Sequence, residues 1–166
     1  MNEVSARQRI ALPISTCWEK LSDFSRAIDY VPGLTNLRVT TAQSTGIGAS
    51  RVVVSRQAGP MDETITEWQE GKGFSIRLHR GGKGPMPPMS EASFEYALES
   101  AGEDTTDIVL RMRYGVRFGA LGALLDALFL KHLMQRNLSD IALALADNYI
   151  SNARVTPERL AQIRLR

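Results

Sequence analysis

The amino-acid sequence predicts an α+β fold in which one curved antiparallel sheet packs against a single long helix. Three observations support this prediction. Apolar and polar residues alternate over about seven short stretches, which is the period of a half-buried strand. Two short helical stretches follow the first strand. The segment 120–150 keeps a helical period throughout and would be about 46 Å long if unbroken.

The first strand is predicted over Val4–Leu12, where every second residue from Val4 onward lies on one side. Pro13 ends this strand. Thr16 and Glu19 fit a capping box, which predicts the start of a short helix near Thr16. A second short helical turn is predicted over Arg26–Val31, before a Pro-Gly pair.

Six further strands complete the predicted sheet, and turn-forming residues separate them. The connection Gly81–Met89 is the longest irregular stretch, because glycine and proline dominate it. It is either a lid over a binding site or a mobile connector. The predicted strands are Leu34–Thr41, Ala49–Arg56, Glu63–Gln69, Phe74–Arg80, Glu91–Glu99 and Asp107–Phe118.

The last two strands have the clearest alternation. For their apolar stripes to share one face, the numbers of directly opposed residues must add to an even value, so the loop holds an odd number of residues. The three-residue loop Ala101–Glu103 satisfies this, because Gly102 tolerates a positive φ. Glu95 is then expected near Arg111 on the solvent face.

The long helix Ala120–Ile150 is amphipathic on a helical wheel, with Leu125, Leu128 and Leu138 on the apolar face and Asp126 opposite. Its first half is apolar nearly all round, so part of this surface is expected to line a cavity, to meet a partner protein or to form a homodimer. Residues 1–150 are therefore interpreted as one domain. Residues 151–166 form a basic tail with a short helix that Thr156 caps.

Composition excludes several classes of function. The single cysteine and two histidines cannot supply a structural zinc site, and neither a metal site nor a cofactor is expected. The net charge is only +2 and the basic residues are scattered, which disfavours nucleic-acid binding. No apolar run reaches the ~18 residues of a membrane span, and no signal peptide is recognisable, so a cytoplasmic location is expected.

Five motifs along the chain carry a family resemblance, namely Ile14–Phe24, Val31-Pro32-Gly33, Gly46–Arg51, Glu63–Trp68 and Leu121–Leu145. These motifs along Val4–Ile150 look like the START/Bet-v-like superfamily (SRPBCC), in its polyketide cyclase/dehydrase-like branch. The resemblance implies a helix-grip fold with a deep hydrophobic pocket for an apolar or amphipathic small molecule. That family has no universal catalytic residues, so no catalytic residue is assigned.

Ten side chains are candidates for binding the ligand, and the apolar ones among them are equally consistent with plain core. Tyr96 and Tyr114 are the expected polar anchors, because a buried tyrosine hydroxyl needs a hydrogen-bond partner. Arg80 lies either at the cavity mouth or in solvent, and His132 is either a core or rim histidine or a general base. The candidates are Trp68, Phe74, Arg80, Phe94, Tyr96, Met112, Tyr114, Leu125, Leu128 and His132.

Three functions remain open at the level of sequence. The leading one is binding of a hydrophobic or amphipathic small molecule, such as a lipid, isoprenoid, quinone or polyketide-like aromatic. The second is a polyketide cyclase, aromatase or dehydratase, which would need acid and base groups inside the pocket. The third is a protein-interaction or regulatory module that uses the apolar start of the long helix and the basic tail.

Overall fold

Seven antiparallel strands form one sheet in the order β1-β7-β6-β5-β4-β3-β2. The computed structural model describes residues 1–166. The predicted α+β class, the number of strands and the element order are confirmed, and the arrangement is a helix-grip fold. The strands are β1 Asn2–Ile10, β2 Leu34–Val39, β3 Ser50–Ser55, β4 Gly59–Gln69, β5 Gly73–His79, β6 Met89–Gly102 and β7 Thr105–Val116.

The helices lie after β1 and after β7. A 3₁₀ turn, Phe24–Arg26, joins α1 to α2, and a π-helical stretch, Asp126–Leu130, joins α3 to α4. None of these helices combines the length and the apolar character needed to cross a membrane. The α-helices are α1 Ile14–Leu21, α2 Ala27–Tyr30, α3 Gly119–Leu125, α4 Lys131–Ser151 and α5 Pro157–Ile163.

The predicted helix start is wrong for α1, near the N-terminus, and correct for α5, near the C-terminus. The predicted capping box at Thr16 is wrong, because α1 already begins at Ile14 and no side chain caps it. Thr16 therefore lies inside the first turn. In α5 the prediction is confirmed, since the Thr156 hydroxyl accepts a hydrogen bond from the Arg159 amide at 3.2 Å.

The β6–β7 hairpin has the predicted parity but a different turn. Glu95 faces Arg111 in the sheet, and their side chains form an ion pair at 2.8 Å. Gly102 faces Thr105, so Ala101 bulges out of the ladder and the turn holds two residues instead of the predicted three. Gly102 has φ 152°, a conformation that glycine tolerates.

The π-helical stretch changes which side of the long helix faces the sheet. A π turn accommodates one extra residue, so the residues before it are rotated by about 100° relative to an unbroken α-helix. Asp126 was predicted on the polar face; that prediction is wrong, because Asp126 is buried. Beyond the stretch, α4 buries the predicted face, which includes Leu138, Leu145 and Tyr149.

The C-terminal tail is fastened to the rest of the chain. Val155 and Leu160 are buried in a small cluster against Ala144 of α4. Arg159 pairs with Asp147 at 2.6 Å, and Arg164 pairs with Asp140. These arginines are therefore engaged within the chain itself.

Candidate functional site

A cavity of about 200 Å³ lies between the concave face of the sheet and α4. This volume is below the ~300–1,000 Å³ that is common for ligand sites, so the cavity matches a small ligand. Eleven of its fourteen lining residues are hydrophobic. They are Ala27, Val31, Leu34, Ile76, Leu78, Phe94, Tyr96, Met112, Met134, Leu138 and Ile141.

The strand period explains why these sheet residues face inward. Ile76 and Leu78 alternate on β5, and Phe94 and Tyr96 alternate on β6. Ile76 lies directly opposite Phe94 in the sheet, which joins the two stripes into one wall. Met112 continues that wall on β7, opposite Phe94 on its other side.

A buried ion pair forms the polar part of the cavity wall. Arg51 on β3 and Glu63 on β4 are directly paired in the sheet, and the Arg51 Nε donates to a Glu63 carboxylate oxygen at 2.6 Å. Only 2% of the Arg51 side chain and 13% of the Glu63 side chain is exposed. The pair places a charged donor and a charged acceptor beside apolar surface, and the two charges together sum to zero.

Further contacts hold Arg51 in place. Its Nη1 donates to the backbone carbonyl of Phe24, and its guanidinium lies 3.9 Å from the centroid of the Phe24 ring. Burial acts to lower the pKa of Arg51, but the Glu63 carboxylate and the nearby Tyr96 and Tyr30 side chains outweigh it and raise the pKa. Arg51 therefore stays charged inside the wall.

Tyr96 lies in the cavity lining next to Tyr30, with 6.4 Å between the ring centroids. Both side chains are buried. Burial, followed by the proximity of Tyr30, raises the pKa of Tyr96 well above its ordinary value. The Tyr96 hydroxyl therefore stays protonated near neutral pH and can donate a hydrogen bond, but it cannot serve as a base there.

Asn137 marks the edge of the cavity. It is the only exposed residue in the lining, and its amide offers both hydrogen-bond donors and an acceptor. Met134, half-buried, lies one turn earlier on α4 and also lines the cavity. The cavity mouth is therefore on the side of α4 that carries Asn137.

Of the ten candidate residues, the structure brings Phe94, Tyr96 and Met112 together in this lining. Phe74 and Trp68 lie beside them, on the same face of the sheet, in an aromatic cluster. Phe74 packs on Tyr96 with 5.0 Å between centroids, and Trp68 stacks on Phe74 at 5.6 Å. These two residues therefore flank the cavity wall and pack against its edge at Tyr96.

The Trp68 indole is also held by a carboxylate. Trp68 and Trp18 both donate their indole N–H to Glu70, at 3.0 and 2.8 Å. Hydrogen bonds from Trp18 and then Trp68 lower the pKa of Glu70 below its ordinary value. This arrangement fastens α1 to the turn between β4 and β5.

Arg80 and the Gly81–Met89 connection lie at the end of β5. The Arg80 Nη2 donates to the carbonyl of Ala58 at 2.6 Å, and Arg80 is outside the cavity lining. The connection is ordered by backbone hydrogen bonds, including two between Arg80 and Lys83 at 3.1 Å and one from the Arg117 amide to Pro88 at 2.8 Å.

Tyr114 lies on the same sheet face as Met112 but contacts a different partner. Its hydroxyl donates to the Asp126 carboxylate at 2.7 Å, and the Asn2 side-chain amide donates to the same carboxylate at 2.9 Å. Burial, followed by this hydrogen bond, raises the pKa of Tyr114 above its ordinary value. Tyr114 therefore anchors the π-helical stretch to the sheet.

Leu125, Leu128 and His132 are exposed and do not line the cavity. The two leucines belong to a continuous stripe of solvent-facing side chains that we term the exposed apolar face. Each member of this face is between 43% and 69% exposed. The face consists of Phe118, Leu121, Leu124, Leu125, Leu128, Phe129 and Leu133.

Sequence reasoning missed Arg51 and Glu63. The sequence signal for these two residues is their spacing along the strands. Arg51 lies two residues from Val53, which is buried, and Glu63 lies two residues from Ile65, so each shares a sheet face with an inward-facing residue. Val52 and Val54 on the other side of β3 are also apolar, and they conceal this alternation. No three His, Cys, Asp or Glu side chains come together in an arrangement that could hold a metal ion.

A family model described as "Polyketide cyclase / dehydrase and lipid transport" matches residues 1–149. No curated protein matches the chain significantly. Solved structures resemble it in fold at low sequence identity. A Thermus thermophilus protein superposes with a TM-score of 0.70 at 19% identity, covering 91% of this chain and 99% of that protein.

Two further solved structures are similar. The Zhui aromatase/cyclase of a Streptomyces species has a TM-score of 0.68 at 17% identity, over 90% of this chain and 95% of its own. The Bacillus cereus protein XoxI has a TM-score of 0.70 at 13% identity, over 92% of this chain and 98% of its own. These likenesses establish a shared fold.

Proposed function

We propose that this chain, which belongs to the polyketide cyclase / dehydrase and lipid transport family, binds a small amphipathic molecule in the cavity between the sheet and α4. The observation that carries this proposal is an apolar cavity whose wall contains one buried, internally neutralised ion pair. The aromatic or aliphatic body of the ligand would pack against Phe94, Met112 and Ile141. Its polar end would lie near Arg51, Glu63 and Tyr96.

The charge of the wall favours a neutral polar group on the ligand. Glu63 already neutralises Arg51, so a ligand carboxylate would add an uncompensated buried charge. A hydroxyl group can instead accept a hydrogen bond from Tyr96 or donate one to a free lone pair of Glu63, and a carbonyl group can accept one from Tyr96. Phenols, quinones and short polyketide-like aromatics meet this requirement.

Calorimetric titration with 2-naphthol and 2-naphthoate tests this preference, because the two probes share one ring system and differ in charge. We expect 2-naphthol to bind more tightly. Equal or tighter binding of 2-naphthoate would contradict the proposed role of the ion pair. Native mass spectrometry of protein purified from its host would identify a ligand that it carries.

Filling the cavity should weaken ligand binding strongly. Ile141→Trp places a larger side chain at the cavity wall, and we expect at least about a tenfold loss of 2-naphthol affinity, corresponding to ~1.4 kcal/mol. Ile150→Trp is the matched control, since Ile150 lies on the same helix, is exposed and is outside the lining. An equal affinity of the two variants would place the ligand elsewhere.

A cyclase or dehydratase activity is the second candidate, and Glu63 favours it. Glu63 is the only carboxylate in the cavity lining and lies beside a fixed cation and a phenol donor. Such a set could move a proton to and from a carbonyl substrate. If turnover of a linear polyketide substrate is found, Glu63→Gln should remove it, whereas a His132→Ala change should leave it intact because His132 is exposed.

A further inference from the structure

The exposed apolar face has a composition that is unusual for a surface in contact with water. It contains two phenylalanines and five leucines along about 22 Å of helix, from the start of α3 to Leu133. Large contiguous apolar patches on soluble domains mark contact sites for proteins or membranes. The π-helical stretch contributes to this face, because it rotates the residues before it, including Leu121 and Leu124, by about 100° relative to those of α4.

Within the segment 117–136, which carries this face, every exposed lysine, arginine, aspartate or glutamate is a lysine or an arginine. Arg117, Lys131 and Arg136 are exposed, and none of the three forms an ion pair. Asp126 is the only carboxylate between Arg113 and Ser139, and it is buried under Tyr114. An apolar helix face with leucine and phenylalanine, flanked by lysine and arginine, is typical of helices that lie in the interface of anionic membranes.

The size of the face disfavours a second copy of the chain as its occupant. A standard protein interface uses about 20–30 residues on each side, and this face supplies seven large apolar side chains from one helical segment and the residue before it. An isologous dimer would also bring its unpaired cations near those of the partner copy. A lipid interface needs only that one helix face enter about 5–10 Å deep.

We propose that the exposed apolar face docks the protein on the surface of an anionic lipid bilayer. Docking would bring the cavity mouth close to the lipid, because Asn137 lies about 6 Å along the helix from Leu133. A small amphipathic ligand would then have a short path between the bilayer and the cavity. The docking step itself does not require the cavity to be occupied.

Vesicle flotation tests docking with the whole chain. We expect the protein to float with vesicles of phosphatidylcholine and phosphatidylglycerol, and to bind much less to phosphatidylcholine alone. Added salt should weaken the binding, since screening reduces attraction between exposed cations and lipid headgroups. Absence of flotation with both kinds of vesicle would overturn the proposal.

Two sets of variants separate the apolar and the charged contributions. The triple change Leu121→Gln, Leu128→Gln and Phe129→Gln should lower the vesicle partition constant at least about tenfold. Its control is Ile47→Gln, Ile150→Gln and Leu165→Gln, at exposed apolar positions outside the face. Lys131→Glu with Arg136→Glu should lower binding to anionic vesicles, whereas Arg38→Glu with Arg77→Glu, at other exposed arginines, should lower it less.

The oligomeric state decides between lipid and a second copy. Light scattering should give 18.3 kDa for the chain in solution. Twice that mass, reduced to the monomer by the triple change, would assign the face to a homodimer and overturn the proposal. The triple variant should still bind 2-naphthol, so loss of docking and loss of ligand binding are distinguishable.

Discussion

Arg51 is a buried charged residue that its immediate neighbours stabilise. A buried guanidinium is tolerated in the cavity wall because Glu63 neutralises it and the Phe24 carbonyl accepts one of its hydrogens. Removing one member of such a pair leaves an uncompensated buried charge. Replacing both members by apolar residues of similar size is often much less harmful.

We therefore expect Glu63→Leu to lower the free energy of unfolding by about 3–5 kcal/mol. The double change Arg51→Met with Glu63→Leu should be more stable than Glu63→Leu alone. Urea unfolding at pH 7 measures both. The cross-strand pair Arg111 and Glu95, whose side chains are 30% and 29% exposed, is the control, and its loss should cost less than about 1 kcal/mol. A double variant that is less stable than the single one would refute the argument.

In the helical segment from α3 to α4, the one extra residue of the π-helical stretch changes which side chains face the sheet. Before the π-helical stretch, the helix turns apolar side chains to solvent, and Asp126, the first residue of the stretch, is buried toward the sheet. After it, Leu138 and Leu145 are buried. The hydrogen bonds of Asp126 with Tyr114 and Asn2 fasten the first part, which has few other contacts with the core.

Asp126→Leu should loosen this first part of the segment selectively. It removes the acceptor of Tyr114 and leaves a buried hydroxyl without a partner, at a cost of about 1–3 kcal/mol. Amide hydrogen exchange should become faster over 119–130 and stay slow over 138–149. Asp140→Leu, at a carboxylate that pairs with Arg164 just after α5, should leave exchange over 119–130 unchanged. Uniform acceleration along the helix in the Asp126 variant would contradict the proposed fastening.

At the scale of the whole molecule, all four tyrosines are buried in the folded chain. Burial is the largest cause that raises the pKa of each one, namely Tyr30, Tyr96, Tyr114 and Tyr149. A phenol with a higher pKa in the folded than in the unfolded chain contributes stability fully at pH values below its unfolded pKa. That contribution is lost as the pH rises above about 10.

We expect the protein to lose stability on alkaline titration above about pH 10, with little phenolate forming while it stays folded. Absorbance at the phenolate band and far-UV circular dichroism should therefore change together. Unfolded protein in urea, titrated in parallel, should show phenolate at the ordinary pKa. Phenolate that forms gradually in folded protein would show that at least one hydroxyl reaches solvent.

Much of the fold could be predicted because its pattern is local. The alternation of Phe94, Tyr96 and Met112 predicts their shared face, and the structure places all three in the cavity lining. Arg51 was not predicted as a site residue, because β3 carries apolar residues on both of its faces and the inward face therefore cannot be recognised from the sequence. The orientation of Leu125 and Leu128 depends on the π-helical stretch, which a wheel of fixed period does not include.

Both tryptophans of the chain lie in one cluster, where they share the Glu70 carboxylate. All indole emission therefore originates at a single place, between α1 and the β4–β5 turn. A continuous series of ring contacts connects that place through Phe74 to Tyr96 in the cavity lining. The protein thus has a built-in optical reporter coupled to one wall of its cavity, and excitation of Tyr96 can pass to the indoles without any added dye.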